Sequence, residues 1–244
     1  MFFLIVLATT SAYGDSVSIV ATENAFSRVI GEDRNESETL QVRRHYTATG
    51  VHDRLSYLRF DVSSLLPQIT QASDIVSATL TLHRINTTSA SVENLHVSAL
   101  LDGVSETAWT AVMGPADRPH GTGSVSANEG ITVTSPLGSL PIAAGETGDL
   151  SIQLSASDLF ALLQTDTNNE ITLVLSAAGP IALIKFASIT NTSGLPVPTL
   201  TVDIASPPSA GTVIMLGSLG GWITSPTFVA GRSLSEACLI RPNP

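Results

Sequence analysis

The sequence predicts an all-β protein, a jelly-roll β-sandwich of about nine antiparallel strands with one short helix. Three observations support this prediction. Short segments alternate apolar and polar residues with a period of two, as half-buried strands do. Turn residues separate these segments at intervals typical of a sandwich. Strand and helix patterns do not alternate along the chain as they would in a protein with a parallel sheet.

The two strongest strand patterns are residues 55–62 and 75–85, joined by a short connection that contains Pro67. In each segment the aliphatic and aromatic residues occupy alternate positions, so one side of the strand is expected to face the core. Residues 92–101 show the same alternation. The residues expected to face the core are Leu58, Phe60, Val62, Ala78, Leu80, Leu82, Leu95 and Val97.

The remaining strands are predicted from shorter patterns. Residues 23–38 are polar and acidic and are expected to form a loop. Residues 102–148 are rich in Gly and Pro, and we expect a long excursion there with a short strand near 130–135. Residues 155–164 form the helix candidate, with Ser155 as its N-cap. The further predicted strands are residues 15–22, 40–46, 149–154, 170–178, 181–188 and 198–204.

The charge of the chain is unevenly distributed. The 244 residues carry a net charge of -10 with a pI near 4.7, which argues against nucleic acid as a partner. Residues 28–59 nevertheless contain six Arg and five acidic residues, whereas residues 60–204 contain three basic and thirteen acidic residues. Arginine suits bidentate recognition of carboxylate or sulfate, although a genome rich in G and C would also favour it.

Known catalytic and metal-binding motifs are missing from the sequence. The single Cys238 allows neither a disulfide framework nor a thiolate metal site. The patterns H-E-x-x-H, G-x-S-x-G and the P-loop do not occur. We therefore expect a protein without catalytic activity, while leaving an enzymatic function open.

The two ends of the chain differ in composition from the middle. Residues 1–14 have an apolar run followed by small residues, which is typical of a signal peptide and predicts a secreted or cell-envelope protein. Residues 15–204 are expected to form one β-sandwich domain. Residues 205–244 form a tail whose apolar stretch, 212–223, is shorter than the roughly 20 residues of a membrane span. Contact with a membrane is expected only through this tail.

Three short motifs carry a family resemblance. YLRFD at residues 57–61 followed by SATLTL at 77–82 resembles the signature of the DNRLRE-type domain, and PVPTL at 196–200 resembles its closing strand. The resemblance covers residues 15–204. It implies a secreted bacterial jelly-roll sandwich, which in some members is a carbohydrate-binding module appended to a polysaccharide lyase. The tryptophan-rich segment of that family is represented here only by ETAW at 106–109.

The tail resembles a degenerate PEP-CTERM sorting signal. Ser206-Pro207-Pro208 stands where that signal has Pro-Glu-Pro, and an apolar stretch follows. The basic cluster that should follow the apolar stretch is missing. The resemblance implies that the protein is sorted to the cell envelope.

A ligand-binding face is predicted opposite the expected core. If neighbouring strands place their outward residues together, an aromatic ring, a planar cation, hydroxyls and imidazoles share one surface. Such a surface suits a polysaccharide that carries uronates, because tyrosine stacks on a sugar ring and arginine binds a carboxylate. A solvated face with Arg59 paired to an acid is the alternative. The predicted ligand-binding residues are Tyr57, Arg59, His83, His96, Arg43 and His45, with Thr79, Thr81 and Asn94 on the same face.

One acidic loop is a candidate for structural calcium. Glu32, Asp33 and Glu36 lie close together in sequence and supply the oxygen ligands that Ca²⁺ prefers. Their spacing matches no EF-hand, and solvated acidic residues are the alternative. No other cofactor is predicted.

Three functions follow from these observations. The first is a secreted, non-catalytic module that binds an acidic polysaccharide through the polar face. The second is a structural or adhesion protein of the cell envelope. The third is a polysaccharide lyase in which Tyr57 acts with His83 or His96 as the base and Arg59 neutralises the uronate.

Overall fold

Twelve strands and one α-helix occur in the described part of the chain, which confirms the predicted all-β sandwich. The structure is a computed structural model, and Gly14–Ala205 form one compact unit in it. The division into a leader, a sandwich and a tail stays a prediction. The residues that the structure describes are 14–28, 34–35, 38–44, 54–86, 93–102, 134, 136–177 and 181–206.

The chain contains a 3-10 helix at Ala72–Asp74. The twelve strands have the following bounds. They are β1 Asp15–Val20, β2 Glu23–Arg28, β3 Arg34–Asn35, β4 Thr39–Arg44, β5 Arg54–Asp61, β6 Ile75–Arg84, β7 Glu93–Ala99, β8 Gly138–Ile142, β9 Gly148–Gln153, β10 Glu170–Ala177, β11 Ile181–Ala187 and β12 Thr199–Ile204. The helix α1 is Ala156–Thr165.

The strands form two antiparallel sheets. Sheet A has the order β1-β12-β6-β9, and β11 and β4 extend it from the end of β6. Sheet B has the order β3-β2-β5-β10-β7-β8. Strand β4 joins the two sheets, because it pairs with β11 and also places Arg43 opposite Arg54 of β5.

The core lies between the two sheets. All eight residues that the sequence places in the core are fully buried, which confirms the predicted inward faces of β5, β6 and β7. Strand β6 follows the expected alternation, with Ala78, Leu80 and Leu82 buried and the intervening residues half-exposed. Strand β12 alternates in the same way, since Leu200 and Val202 are buried.

The helix forms where its N-cap predicts. The Oγ of Ser155 accepts a hydrogen bond from the backbone N–H of Asp158 at 3.3 Å. Leu159, Leu162 and Leu163 are buried, and the helix contacts β6 and the 3-10 helix. The apolar stripe therefore closes one end of the core, as the predicted helix required.

The expectation of a loop over residues 23–38 is wrong. The segment contains β2, which pairs with β5 along its whole length, and the two-residue strand β3. One polar residue of β2, Asn24, is buried, and its Oδ1 accepts a hydrogen bond from the N–H of Ile189 at 2.7 Å. Phe26 is also buried. Polar composition therefore did not indicate a solvated loop here.

The short strand predicted near residues 130–135 lies almost wholly outside the described residues. The strand that the structure describes in the Gly- and Pro-rich excursion is β8, at Gly138–Ile142. A Cβ added at Gly138 would collide with the backbone carbonyl of Gln153 in β9. Glycine thus permits the close approach of β8 in sheet B to β9 in sheet A.

We expect Leu80→Ala to lower the free energy of unfolding by about 2–5 kcal/mol, because it leaves a cavity in a fully buried strand. Urea denaturation followed by circular dichroism measures this change. Ser151→Ala, at an exposed position of the neighbouring strand, serves as the control and should change stability by less than about 0.5 kcal/mol. Equal effects of both substitutions would contradict the assigned inward face of β6.

Candidate functional site

The predicted ligand-binding face does not exist as one surface. Strands β5 and β6 follow each other in sequence, but β5 pairs with β2 and β10 in sheet B, whereas β6 pairs with β12 and β9 in sheet A. Residues of the two strands that point away from the core therefore project from opposite sides of the sandwich. Thr79, Thr81 and His83 lie on one side, and Tyr57 and Arg59 lie on the other.

The expectation that Tyr57 and Arg59 are exposed is also wrong. Tyr57 has a relative exposure of 0% and Arg59 of 7%. Strand β5 and its neighbour β10 are buried on both faces, so the outer side of sheet B is not in solvent at these positions. A sequence signal for this was available, because Leu55 shares the outward parity of Tyr57. Apolar residues on both parities indicate a strand that is buried on both sides.

Arg59 is held by two carboxylates from the neighbouring strands. Its Nη1 donates to Oε2 of Glu23 at 2.8 Å, and its Nε lies 3.7 Å from Oε2 of Glu170. Glu23 is directly opposite Arg59 in β2, and Glu170 is in β10. This geometry matches the alternative in which Arg59 is paired to an acid. A role for Tyr57 and Arg59 in ligand binding stays a prediction.

His83 lies on a polar face of sheet A. Its Nδ1 is 2.6 Å from Oδ1 of Asp149, which is directly opposite it in β9. Small polar side chains continue this face across the sheet, where Gln153 donates to the hydroxyl of Thr79 at 2.9 Å. The face carries acids as well as the imidazole, since Asp203 accepts a hydrogen bond from Ser77 at 2.5 Å.

His96 lies on the outer side of sheet B and is half-buried. It faces Ser176 in β10 and Ser139 in β8. Two strand spacings, or about 10 Å, separate β7 from β5, because β10 lies between them. His96 is therefore not next to Tyr57. His45 lies outside the described residues.

The residues proposed for calcium, Glu32, Asp33 and Glu36, also lie outside the described residues. Among the residues that the structure describes, no group of three or more His, Cys, Asp or Glu side chains is arranged to hold a metal ion. The calcium site stays a prediction.

The structure brings three arginines into one row. Arg54 in β5 is directly opposite Arg28 in β2 on one side and Arg43 in β4 on the other. Directly opposite residues of antiparallel strands share a face, with Cβ atoms about 4.5–5.5 Å apart. We call Arg28, Arg54 and Arg43 the arginine row. The concentration of arginine in residues 28–59 is visible in the sequence, but the partner of each strand is not. Of these three arginines, only Arg43 is therefore among the predicted ligand-binding residues.

One donor of the Arg43 side chain has no hydrogen-bond partner among the described residues. This donor is the buried Nε, and the side chain as a whole is half-buried. The described carboxylates form no ion pair with it. Arg54, by contrast, donates from Nη1 to Oε1 of Gln41 at 2.7 Å. Like charges placed directly opposite each other are destabilising. An anion bound between two opposite arginines would reduce this repulsion.

A second group of charged residues lines a shallow pocket between the end of α1 and the start of β10. Asp102, Asp166 and Glu170 contribute carboxylates to it. Burial raises the pKa of the Asp166 carboxyl, the charge of Asp102 raises it further, and hydrogen bonds from backbone N–H groups oppose this shift. Oδ2 of Asp166 is buried and has no hydrogen-bond partner among the described residues. Ionisation of Asp166 is therefore less favourable in the folded than in the unfolded protein.

No family model and no curated protein matches the chain. A solved structure, the CBM22-1 and GH10 modules of endo-1,4-β-D-xylanase 10B from Clostridium thermocellum with xylohexaose, matches with a TM-score of 0.32 and 11% identity. The match covers 84% of this chain and 30% of the xylanase chain.

None of the helices in the described ranges has the length and apolarity that a membrane crossing requires.

We expect Arg59→Ala to lower the free energy of unfolding by about 2 kcal/mol, because it leaves Glu23 and Glu170 without their shared cation. Chemical denaturation at neutral pH measures the loss. Lys185→Ala removes a positive charge from a half-exposed position and serves as the control. If the two variants are equally stable, the ion pairs of Arg59 do not support the fold.

We expect Asp166→Asn to raise the melting temperature at neutral pH and to have little effect in acid. The pKa of Asp166 is higher in the folded than in the unfolded chain, so folding is favoured when the group is protonated. That contribution is lost as the pH rises through the folded pKa, and the amide removes the cost of the buried charge. Melting curves measured from acidic to neutral pH test this, and a gain that does not depend on pH would contradict it.

Proposed function

We propose that the protein is a secreted, non-catalytic module that binds an acidic polysaccharide, and that the arginine row is its binding site. The observation that carries the proposal is the register that places Arg28, Arg54 and Arg43 side by side on three adjacent strands. The site differs from the predicted Tyr57 and Arg59 face. Of the residues predicted for ligand binding, Arg43 is the one that belongs to this site.

The distribution of charge in the chain supports an anionic ligand at the arginine row. The chain as a whole is acidic, with a net charge of -10, so its overall field repels anions. A local row of arginine positions on adjacent strands is the feature that can overcome this repulsion at short range. Each guanidinium offers a planar set of donors that matches a carboxylate or sulfate in two parallel hydrogen bonds.

The spacing of the row supports a polymer rather than a single small anion. Neighbouring strands lie about 4.7–4.9 Å apart, so the three arginine positions span about 10 Å across the strands. A uronate-containing chain carries its carboxylates in a regular series and can engage more than one of these cations. Arg43 forms no ion pair with a described carboxylate, so its charge can contribute to binding an external anion.

The resemblance of residues 57–61 and 77–82 to the DNRLRE-type domain supports the same class of function. The candidate signal peptide at residues 1–14 supports a location outside the cytoplasm. Both rest on sequence patterns. Cell-envelope sorting through the tail at residues 205–244 is part of the proposal on the same basis.

The geometry does not favour the lyase alternative. His83 and Tyr57 project from different sheets, and Arg59 is engaged by Glu23 and Glu170. His96 is two strands away from Tyr57. A base and a uronate-neutralising cation would have to lie within hydrogen-bond reach of one sugar residue.

We expect the full chain to bind polygalacturonate, alginate or a sulfated glycan, and to bind neutral xylan less well. Arg43→Ala should weaken binding by about 10-fold to 100-fold, as expected for the loss of hydrogen bonds to a charged group. Affinity electrophoresis and isothermal titration calorimetry at two salt concentrations measure this. Binding should weaken at the higher salt concentration because the contacts are ionic.

Two control variants make the test specific. Arg43→Lys keeps the charge but loses the planar donor set, and should lie between the parent and Arg43→Ala. Ser151→Ala, at an exposed position of β9 in sheet A, lies away from the arginine row and should bind like the parent. Equal affinities of Arg43→Ala and the parent would show that the site is wrong. Absence of binding to all the glycans would leave the structural or adhesion function.

A further inference from the structure

Among the described strands, β1 lies at an edge of sheet A. All six of its residues pair with β12, from Asp15 opposite Ile204 to Val20 opposite Thr199. No strand in the described part of the chain pairs with its other edge. Every residue of the strand is at least partly exposed, and Val20 is 51% exposed. An unpaired edge of this kind presents backbone donors and acceptors to another chain.

Other sheet edges in the described part of the chain carry features that prevent pairing. Strand β8 contains Pro141, which has no N–H to donate, and β3 has only two residues. Strand β9 has β8 beside it. Strand β1 has no Pro, no Lys and no bulge, since its register with β12 is uninterrupted. It is the edge in this part of the chain that lacks such protection.

We propose that β1 pairs with β1 of a second copy of this chain, antiparallel and centred on Ser18, so that sheet A continues across a two-fold axis. This proposal is independent of the polysaccharide site. In this register Ser18 lies opposite Ser18 of the second copy, and Ser16 lies opposite Val20. A two-fold interface requires such self-complementary pairing.

The register centred on Ser18 suits the side chains of β1. Val17 and Ile19 pack against the core but are only partly buried, because β1 ends the sheet. Pairing places Val17 of one copy next to Ile19 of the other and covers both residues. Asp15, the charged residue of the strand, falls opposite Ala21, so two aspartates are not brought together.

The small area of the proposed β1–β1 interface determines how tightly the two copies are expected to bind. Six residues per strand form an interface smaller than the roughly 1,200 Å² of a standard stable complex. The dimer should therefore depend on protein concentration and should dissociate on dilution. Sedimentation velocity of the full chain over a wide concentration range should show a reversible monomer–dimer equilibrium.

Two charge variants test the register. Ser18→Lys places two ammonium groups opposite each other and Ser18→Asp places two carboxylates there, and each should weaken the dimer about fivefold. An equimolar mixture of the two variants should form a heterodimer at least as well as the parent forms its dimer. Ser151→Lys adds a charge at an exposed position of β9 and should leave the dimer unchanged.

The outcomes are distinct. Because Ser18 is exposed, the variants should keep the melting behaviour of the parent, apart from the loss of one hydrogen bond to Thr201 at 3.0 Å. A parent that remains monomeric at all concentrations overturns the proposal. A dimer that Ser18→Lys and Ser18→Asp do not weaken, or a mixture that does not recover, overturns it as well. Loss of glycan binding in Arg43→Ala has no bearing on it.

Discussion

The passage of the chain from sheet B to sheet A between β5 and β6 determines how the rest of the structure is arranged. The aliphatic residues of both strands, Leu58 and Leu80 among them, meet in one core from opposite sides. Their outward residues consequently point away from each other. A connection through Val62 and Leu65, both buried, fixes this crossing and leaves two separate outer surfaces with different chemistry.

The arginines of sheet B lie in two different electrostatic environments. In sheet B, Arg59 lies between Glu23 and Glu170 and is nearly removed from solvent, so its charge is balanced within the fold. At the corner where β4 joins the sheets, Arg43 and Arg54 lie opposite each other instead. The ion pairs of Arg59 balance its charge within the fold, whereas the like charges of Arg43 and Arg54 repel each other.

Much of the fold could be predicted from the sequence, because a period of two records which residues face the core. This held for Leu58, Leu80 and Val97, and the N-cap Ser155 marked the helix. The period of two does not show which strands pair with each other. The separation of Tyr57 from His83 and the alignment of Arg28 with Arg54 depend on long-range pairing. The strand β2 was missed because Asn24 makes its hydrogen bonds inside the protein.

The pairing of Asp15 with Ile204 brings the first and last strands of the sandwich together at the same end of one ladder. A mechanical load applied to the chain at these two points would act on the ladder between β1 and β12 from that end. Its hydrogen bonds would then break one after another rather than all together, and each one contributes only about 1 kcal/mol. The sandwich would therefore begin to unravel under low force by peeling of its outermost strand.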